Sequence, residues 1–418
     1  MESFHIQGEK KLSGRIAVSG AKNAILPIMT ATLLAKGKSI LTNVPHLNDF
    51  KSMAHVLRVI GAKVDNDADT LCIDTTNASY WEAPYELVNK MRASIYVLGP
   101  LLARFKKAIV AFPGGCAIGT RPVDLHLMVM EKLGAKITIE HGNIFAECPD
   151  GLQGANIIFP MISVGATANA LMASVLARGE SILQNIALEP DIQSLIDFLV
   201  LMGAKIQKIG KNDLRIIGVK ELHPAQMPMI PDRIEAGTLL LAAAITKNSF
   251  TVTHCEPTHL ESLIVKMRET GCELQIKEQE ITVFPSDHIL PTNIITEPFP
   301  GFPTDLQAQF LVYMCLAEGK SMIKETIFPD RFMHVAELKR LGADIQTKEG
   351  TAFINGIKQF SGAEVMATDL RASAALVLAG LAAQGTTRIS RIYHIDRGYE
   401  KIENKLNSLG AEIKRIMV

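Results

Sequence analysis

At 418 residues the chain exceeds what a single hydrophobic core usually serves, so at least two domains are expected. Its 43 basic and 43 acidic residues cancel to a formal charge of zero, which removes any bulk pull toward nucleic acid or anionic membrane; an anion site has to be local. Apolar runs such as 237–245 and 372–383 are too short to span a bilayer, and Met1-Glu2-Ser3-Phe4 lacks the charged start of a signal peptide, so a cytoplasmic protein is expected.

In chain order, residues 1–21 carry strand-like segments before Gly20-Ala21-Lys22-Asn23 opens an Ala/Leu-rich helix. An amphipathic stretch then ends at Ile60-Gly61-Ala62-Lys63-Val64 and turns into a strand-like run. The same phrase returns around Gly134, Gly203, Gly271, Gly342 and Gly410, at intervals of 68 to 73 residues. Each glycine sits where a left-handed helix cap is needed between helix and strand. About midway between these phrases a second one recurs: a polar start, a buried-looking helix and a β-branched run, over 22–40, 92–110, 163–182, 232–252, 303–323 and 368–389. Six copies of one α/β unit follow, with a period longer than the 20 to 50 residues of open solenoids. Closed domains are therefore expected rather than a rod.

The phase of the repeat carries more. The last copy stops at its cap-and-strand phrase, while the N-terminal segment corresponds to what normally follows that phrase, so the N-terminal strand is expected to complete the last repeat. On this reading residues 22–229 form an inserted lobe of three repeats, and 1–21 plus 230–418 form the second lobe. The return crossing falls in Met227-Pro228-Met229-Ile230-Pro231, which two prolines keep extended.

Six cysteines without a Cys-x-x-Cys spacing argue against a disulfide framework and a structural zinc site. Five lie in strand-like or helical contexts. Cys116 lies in Pro113-Gly114-Gly115-Cys116-Ala117-Ile118-Gly119-Thr120-Arg121-Pro122, five residues before an arginine; a partly exposed thiol near positive charge is reactive, although an incidental surface cysteine is an equal alternative. Arg121-Pro122-Val123-Asp124-Leu125 opens a helix, and helix N-termini favour anions. Lys22, Arg92 and Arg371 fall at or near helix starts, with Arg331 and Arg397 in nearby loops. A cation at a helix N-terminus opposes the macrodipole, and an anionic ligand would resolve the conflict. For any one of them solvated surface is the plainer reading. Asp305, Asp232 and Asp369 read first as helix-start acids. Asp305 gains weight from the rigid Pro300-Gly301-Phe302-Pro303 before it, and His394 reads as a local hydrogen-bonding group. No residue cluster has metal-ligand spacing, and no nucleotide-binding fingerprint is present.

Gly20-Ala21-Lys22-Asn23-Ala24, Met91-Arg92-Ala93-Ser94, the Pro113–Leu125 run, Ser163-Val164-Gly165-Ala166-Thr167, Pro303-Thr304-Asp305, Arg331-Phe332-Met333-His334 and Asp369-Leu370-Arg371-Ala372-Ser373 together resemble the UDP-N-acetylglucosamine 1-carboxyvinyltransferase family, the enolpyruvyl transferases of early bacterial peptidoglycan synthesis. The resemblance spans essentially the whole chain. It implies a two-domain inside-out α/β barrel of the enolpyruvyl transferase type, with small-molecule substrates phosphoenolpyruvate and UDP-N-acetylglucosamine and no metal or organic cofactor. By resemblance Cys116 is a proton donor that can carry an adduct. Lys22, Arg121 and Arg397 meet the phosphate, and Arg331 and Arg371 the carboxylate, of phosphoenolpyruvate. Asp305 takes the sugar hydroxyl proton, Asp369 is a second proton-handling candidate, and Asn23 orients the sugar. Arg92, Arg121, Pro122, Val123, Asp124, Leu125, Ser163, Val164 and Ile327 hold the nucleotide sugar. The resemblance also implies sensitivity to thiol-directed epoxides of the fosfomycin type. The shikimate-pathway enolpyruvyl transferases share this plan but lack the cysteine loop, and a non-catalytic nucleotide-binding scaffold is the alternative of a different class.

Overall fold

The computed structural model describes residues 2–88, 92–112 and 123–417. They fall into two compact units: residues up to Ser19 together with those from Pro231 onward form one, and residues from Gly20 to Ile230 form the other. Each unit contains three four-stranded sheets.

One repeat explains the rest. The short strand Asn156–Ile158 is followed by the helix Val164–Ser174, the strand Glu180–Gln184, the helix Pro190–Leu201 and the hairpin Lys205–Lys208 with Asp213–Ile217. The short strand pairs in parallel with Glu180–Gln184, which a crossover helix makes possible. That strand pairs antiparallel with Asp213–Ile217, and the hairpin closes the sheet.

The two helices of a repeat differ in sequence and therefore in position. The first is mostly apolar and is buried on every side: Arg233–Ile245 buries everything from Ile234 to Ile245, and Leu370–Ala382 everything from Arg371 to Leu381. A helix without a polar face belongs at the centre of a core. The second has one apolar stripe, as in Asn48–Ile60, where Phe50, Met53, Ala54, Leu57 and Ile60 are buried while Lys51, His55 and Arg58 face solvent. In each unit the first helices form the interior, and the sheets, polar on one face, pack outside them. Between the second helix and the hairpin the six repeat glycines all adopt positive φ, from 88° at Gly271 to 110° at Gly410, where a side chain would be strained.

The chain ends and crossings depart from simple repetition. Glu2–Gln7 lies between Thr386–Ser390 and Glu412–Met417, antiparallel to both, in the place that a hairpin strand takes elsewhere. Phe4 and Ile6 are fully buried there. Two short strands are exchanged. Arg15–Ala17, which precedes the helix Lys22–Ala31, pairs with Thr251–Thr253, whereas Gln226–Pro228, which precedes the helix Arg233–Ile245, pairs with Lys38–Thr42. The Ser19 carbonyl accepts from the Asp232 amide at 2.9 Å, and the Ala21 amide donates to the Ile230 carbonyl at 2.7 Å, so the two passages of chain are paired where they turn. Among the described residues no helix is long and apolar enough to cross a membrane.

Candidate active site

In the unit that contains the chain ends, Asp305 occupies a short 3-10 turn, Thr304–Leu306, ahead of the buried helix Gln307–Met314. It is not a helix cap. Its Oδ1 accepts from Arg331 Nη1 at 2.9 Å and its Oδ2 from Arg371 Nη2 at 2.8 Å. Both arginine side chains are almost wholly buried, at 5% and 2% exposure, while the Asp305 side chain between them is 25% exposed. Burial alone would raise the Asp305 pKa, but the adjoining Arg371 and Arg331 guanidiniums outweigh it and hold the carboxyl well below its usual range. Arg331 also donates to Thr304 Oγ1 at 3.0 Å, and Thr304 donates to Glu325 Oε2 at 2.9 Å. Arg371 lies over the Tyr399 ring, 5.4 Å from its centre. Gln309 Nε2 ties that layer together, within 3.1 Å of Tyr399 Oη and 3.0 Å of the Asp305 carbonyl. Among the described residues Arg371 Nη1 is buried without a hydrogen-bond partner, a donor still open.

Asp369 caps the helix Leu370–Ala382, its Oδ1 accepting from the amides of Arg371 and Ala372 at 2.8 and 3.1 Å. The plain reading of this residue as a helix-start acid therefore holds for one of its oxygens. It also faces His334, a buried imidazole pushed down to about 4 by desolvation, with the nearby Asp369 charge opposing and Arg331 adding to the shift. Arg397 ends the turn Ile392–Arg397, where burial first and the Arg397 charge next depress His394. Ile327 is half-buried, its amide donating to Glu325 Oε1 at 2.8 Å.

In the other unit Lys22 begins the helix Lys22–Ala31, with Asn23 next to it. Lys22 Nζ lies 2.8 Å from Asp49 Oδ2, at the start of the following helix. Lys22 and Arg371 each have a carboxylate of the protein beside them, which partly offsets a cation's conflict with the helix macrodipole within the chain. Arg331 and Arg397 stand in turns rather than at the start of an α-helix. Arg92 opens a 3-10 turn, Arg92–Val97. Val123 precedes the helix Asp124–Lys132, with Asp124 in its first turn and Leu125 half-buried beneath. Ser163 caps the helix Val164–Ser174, its Oγ accepting from Ala166 N at 3.3 Å. Cys116, Arg121 and Pro122 lie outside the described residues, as does the side chain of Arg92.

The sequence expectations passed over Asp49, Glu325, Gln309, Tyr399, His126 and Asn169. A signal existed for Asn169, a lone amide in an otherwise apolar Ala-rich helix, which is costly unless it is bonded. Among the described residues no cluster of His, Cys, Asp and Glu has the grouping to hold a metal ion.

Against known proteins, the family model for EPSP synthase (3-phosphoshikimate 1-carboxyvinyltransferase) matches residues 6–406. The UDP-N-acetylglucosamine 1-carboxyvinyltransferase of Chloroherpeton thalassium is 54% identical over 99% of this chain and 97% of its own. That of Geotalea uraniireducens is 51% identical over the full length of both. Among solved structures, the enolpyruvyl transferase NikO from Streptomyces tendae superposes with a TM-score of 0.92 at 25% identity, covering 100% of this chain and 99% of its own. The EPSP synthase of Acinetobacter baumannii shares the fold, with a TM-score of 0.78 at 19% identity over the whole of both chains. The chain belongs to the EPSP synthase family of enolpyruvyl transferases and, within it, to the UDP-N-acetylglucosamine 1-carboxyvinyltransferases.

Proposed function

We propose that this transferase moves the enolpyruvyl group of phosphoenolpyruvate onto the 3-hydroxyl of UDP-N-acetylglucosamine with release of phosphate. This would be the first committed step of cytoplasmic peptidoglycan synthesis, serving cell-wall growth and division. The observation that carries the reading is the Asp305–Arg331–Arg371 triad, in which two buried guanidiniums face one carboxylate and, among the described residues, one Arg371 donor has no hydrogen-bond partner. The triad has a net charge of +1, which suits one further carboxylate. The relatives at 51 and 54% identity carry the name of this activity.

In the reaction the sugar oxygen bonds to C2 of phosphoenolpyruvate, a proton is added at C3, and the hydroxyl proton leaves to a base. The adduct then loses a C3 proton as the bond from C2 to the phosphate oxygen breaks. We assign the hydroxyl proton to Asp305 and the C3 proton to the Cys116 thiol. Lys22, Arg121 and Arg397 take the phosphate, and Asp369 is the second candidate for moving the C3 proton. Asn23, Arg92, Pro122, Val123, Asp124, Leu125, Ser163, Val164 and Ile327 are assigned to the nucleotide sugar.

Clamped between two arginines, Asp305 is a poor base, since its depressed pKa weakens its hold on a proton. A substrate carboxylate competing for Arg331 and Arg371 would loosen that clamp and raise the pKa. Basicity would then arrive together with the electrophile.

The test is phosphate release from phosphoenolpyruvate in the presence of UDP-N-acetylglucosamine or of shikimate 3-phosphate. Release with the first alone is expected. Release with the second alone would make the protein a shikimate-type enzyme, and release with neither would favour a binding scaffold. The Cys116→Asp variant should stay active with its pH optimum moved lower and should escape fosfomycin-type epoxides, because a carboxyl replaces the thiol as the acid.

A further inference from the structure

Asn169 is fully buried in the middle of the helix Val164–Ser174, and its amide is bonded on every side by a different part of the inserted unit. Its Oδ1 accepts from the Gly99 amide at 3.0 Å, supplying one of the first-turn donors of the helix Leu98–Phe105 with a partner. Its Nδ2 donates to the Ile95 carbonyl at 3.0 Å, inside the Arg92–Val97 turn, and lies 2.8 Å from His126 Nδ1 in the helix Asp124–Lys132.

The two backbone partners fix which way the amide points, because an N–H can only donate and a carbonyl can only accept. The remaining amide hydrogen then faces His126, whose Nδ1 must accept it, and the imidazole proton resides on Nε2. Close packing leaves little slack: a Cβ on Gly99 would lie 2.9 Å from Asn169 Oδ1, and one on Gly165 would lie 3.1 Å from the His126 ring.

We propose that Asn169 is the positioning residue of the nucleotide-sugar site, and that it acts through His126. The segments it joins are among those assigned above to UDP-N-acetylglucosamine: the turn opened by Arg92, the helix start at Val123-Asp124-Leu125, and the helix start at Ser163-Val164. One side chain thereby sets the spacing of three binding segments, none of which is adjacent to another in sequence. The inference rests on the functional assignment above and adds a residue that touches no substrate.

Two measurements on the full-length protein test it. Imidazole ¹⁵N NMR should show His126 with Nδ1 unprotonated in the wild type. Asn169→Asp, which keeps an acceptor for Gly99 but removes the donor facing His126, should move the proton to Nδ1. Titration calorimetry with UDP-N-acetylglucosamine should show affinity at least tenfold weaker in Asn169→Leu and in Asn169→Asp, with kcat at saturation and KM for phosphoenolpyruvate changed less than threefold. Protonated Nδ1 in the wild type would overturn the proposal. So would unchanged affinity in a folded variant, or an equal loss in kcat and in both KM values, which a merely structural role would give. A wild type that does not bind UDP-N-acetylglucosamine would defeat the functional assignment and this inference together.

Discussion

The two units repeat one plan of three sheets around buried helices, yet the polar groups set among those helices differ. The unit with the chain ends holds an ion triad, Asp305 with the buried Arg331 and Arg371, and a neutral His334 beside Asp369. The inserted unit places at its centre a neutral set, Asn169 with His126 and two backbone groups, while its buried Lys22–Asp49 ion pair stands apart at the start of two helices. Buried charge is costly and changes strength with each proton or partner, whereas a satisfied neutral network holds geometry and responds little. The ion triad of one unit is thus suited to handling charge, and the amide set of the other to holding shape.

The strongest break of this division is Asp305→Ala. It should lower kcat by about a thousandfold, within the range for a lost general base, while UDP-N-acetylglucosamine affinity stays within about tenfold. Steady-state kinetics and calorimetry on one preparation decide it; intact turnover at saturation with weakened sugar binding would reverse the roles of the two units. Next comes Arg397→Ala, expected to raise KM for phosphoenolpyruvate by about tenfold to a hundredfold with sugar affinity unchanged, the pattern of a lost charged contact.

A third outcome concerns pH. His334 titrates near 4 when folded and near its ordinary 6.5 when unfolded, so between these values the unfolded chain binds more protons. Its contribution to stability is complete above about pH 6.5 and is lost as pH falls toward 4, with a slope approaching about 1.4 kcal/mol per pH unit. Urea melts across this window should be steeper in pH for the wild type than for His334→Phe. Equal slopes would show that the imidazole is not buried neutral.

The smallest effects come from the repeat glycines. Gly134, with φ of 93° and open space where a Cβ would stand, should cost about 1 to 2 kcal/mol when changed to alanine, from backbone strain alone. Gly410→Ala, where a Cβ would lie 2.6 Å from the Lys11 carbonyl, should cost more. Thermal melts of the two variants compare equivalent caps in the two units.

What the sequence made legible follows the length of each signal. The helix-to-strand glycines recur with apolar periodicity on both sides, so all six helix ends could be placed, and the unfinished last repeat pointed to the N-terminal strand that indeed pairs there. The exchanged strands Arg15–Ala17 and Gln226–Pro228 are three residues each, too short to carry a period, and their partners are set by tertiary context. Asp305, Arg331 and Arg371 were singled out separately, but nothing in their spacing says that the two arginines hold one carboxylate. Asp49 was missed because an acid in a first helical turn needs no further explanation. Asn169 was missed because its partners are main-chain atoms, which no side-chain motif reports.

The pairing of Glu2–Gln7 with Glu412–Met417 also has a consequence in time. Every described strand of the inserted unit lies between Lys38 and Pro228, so a ribosome that has released that stretch has released all of them. The other unit cannot complete this sheet until Glu412–Met417 emerges, and Glu2–Gln7 must wait for it, a contact of very long range in sequence. Protease digestion of ribosome-held chains stalled near residue 280 should find the inserted unit already resistant and the N-terminal strand still cut; protection of both at that length would mean that the strand has an earlier, temporary partner.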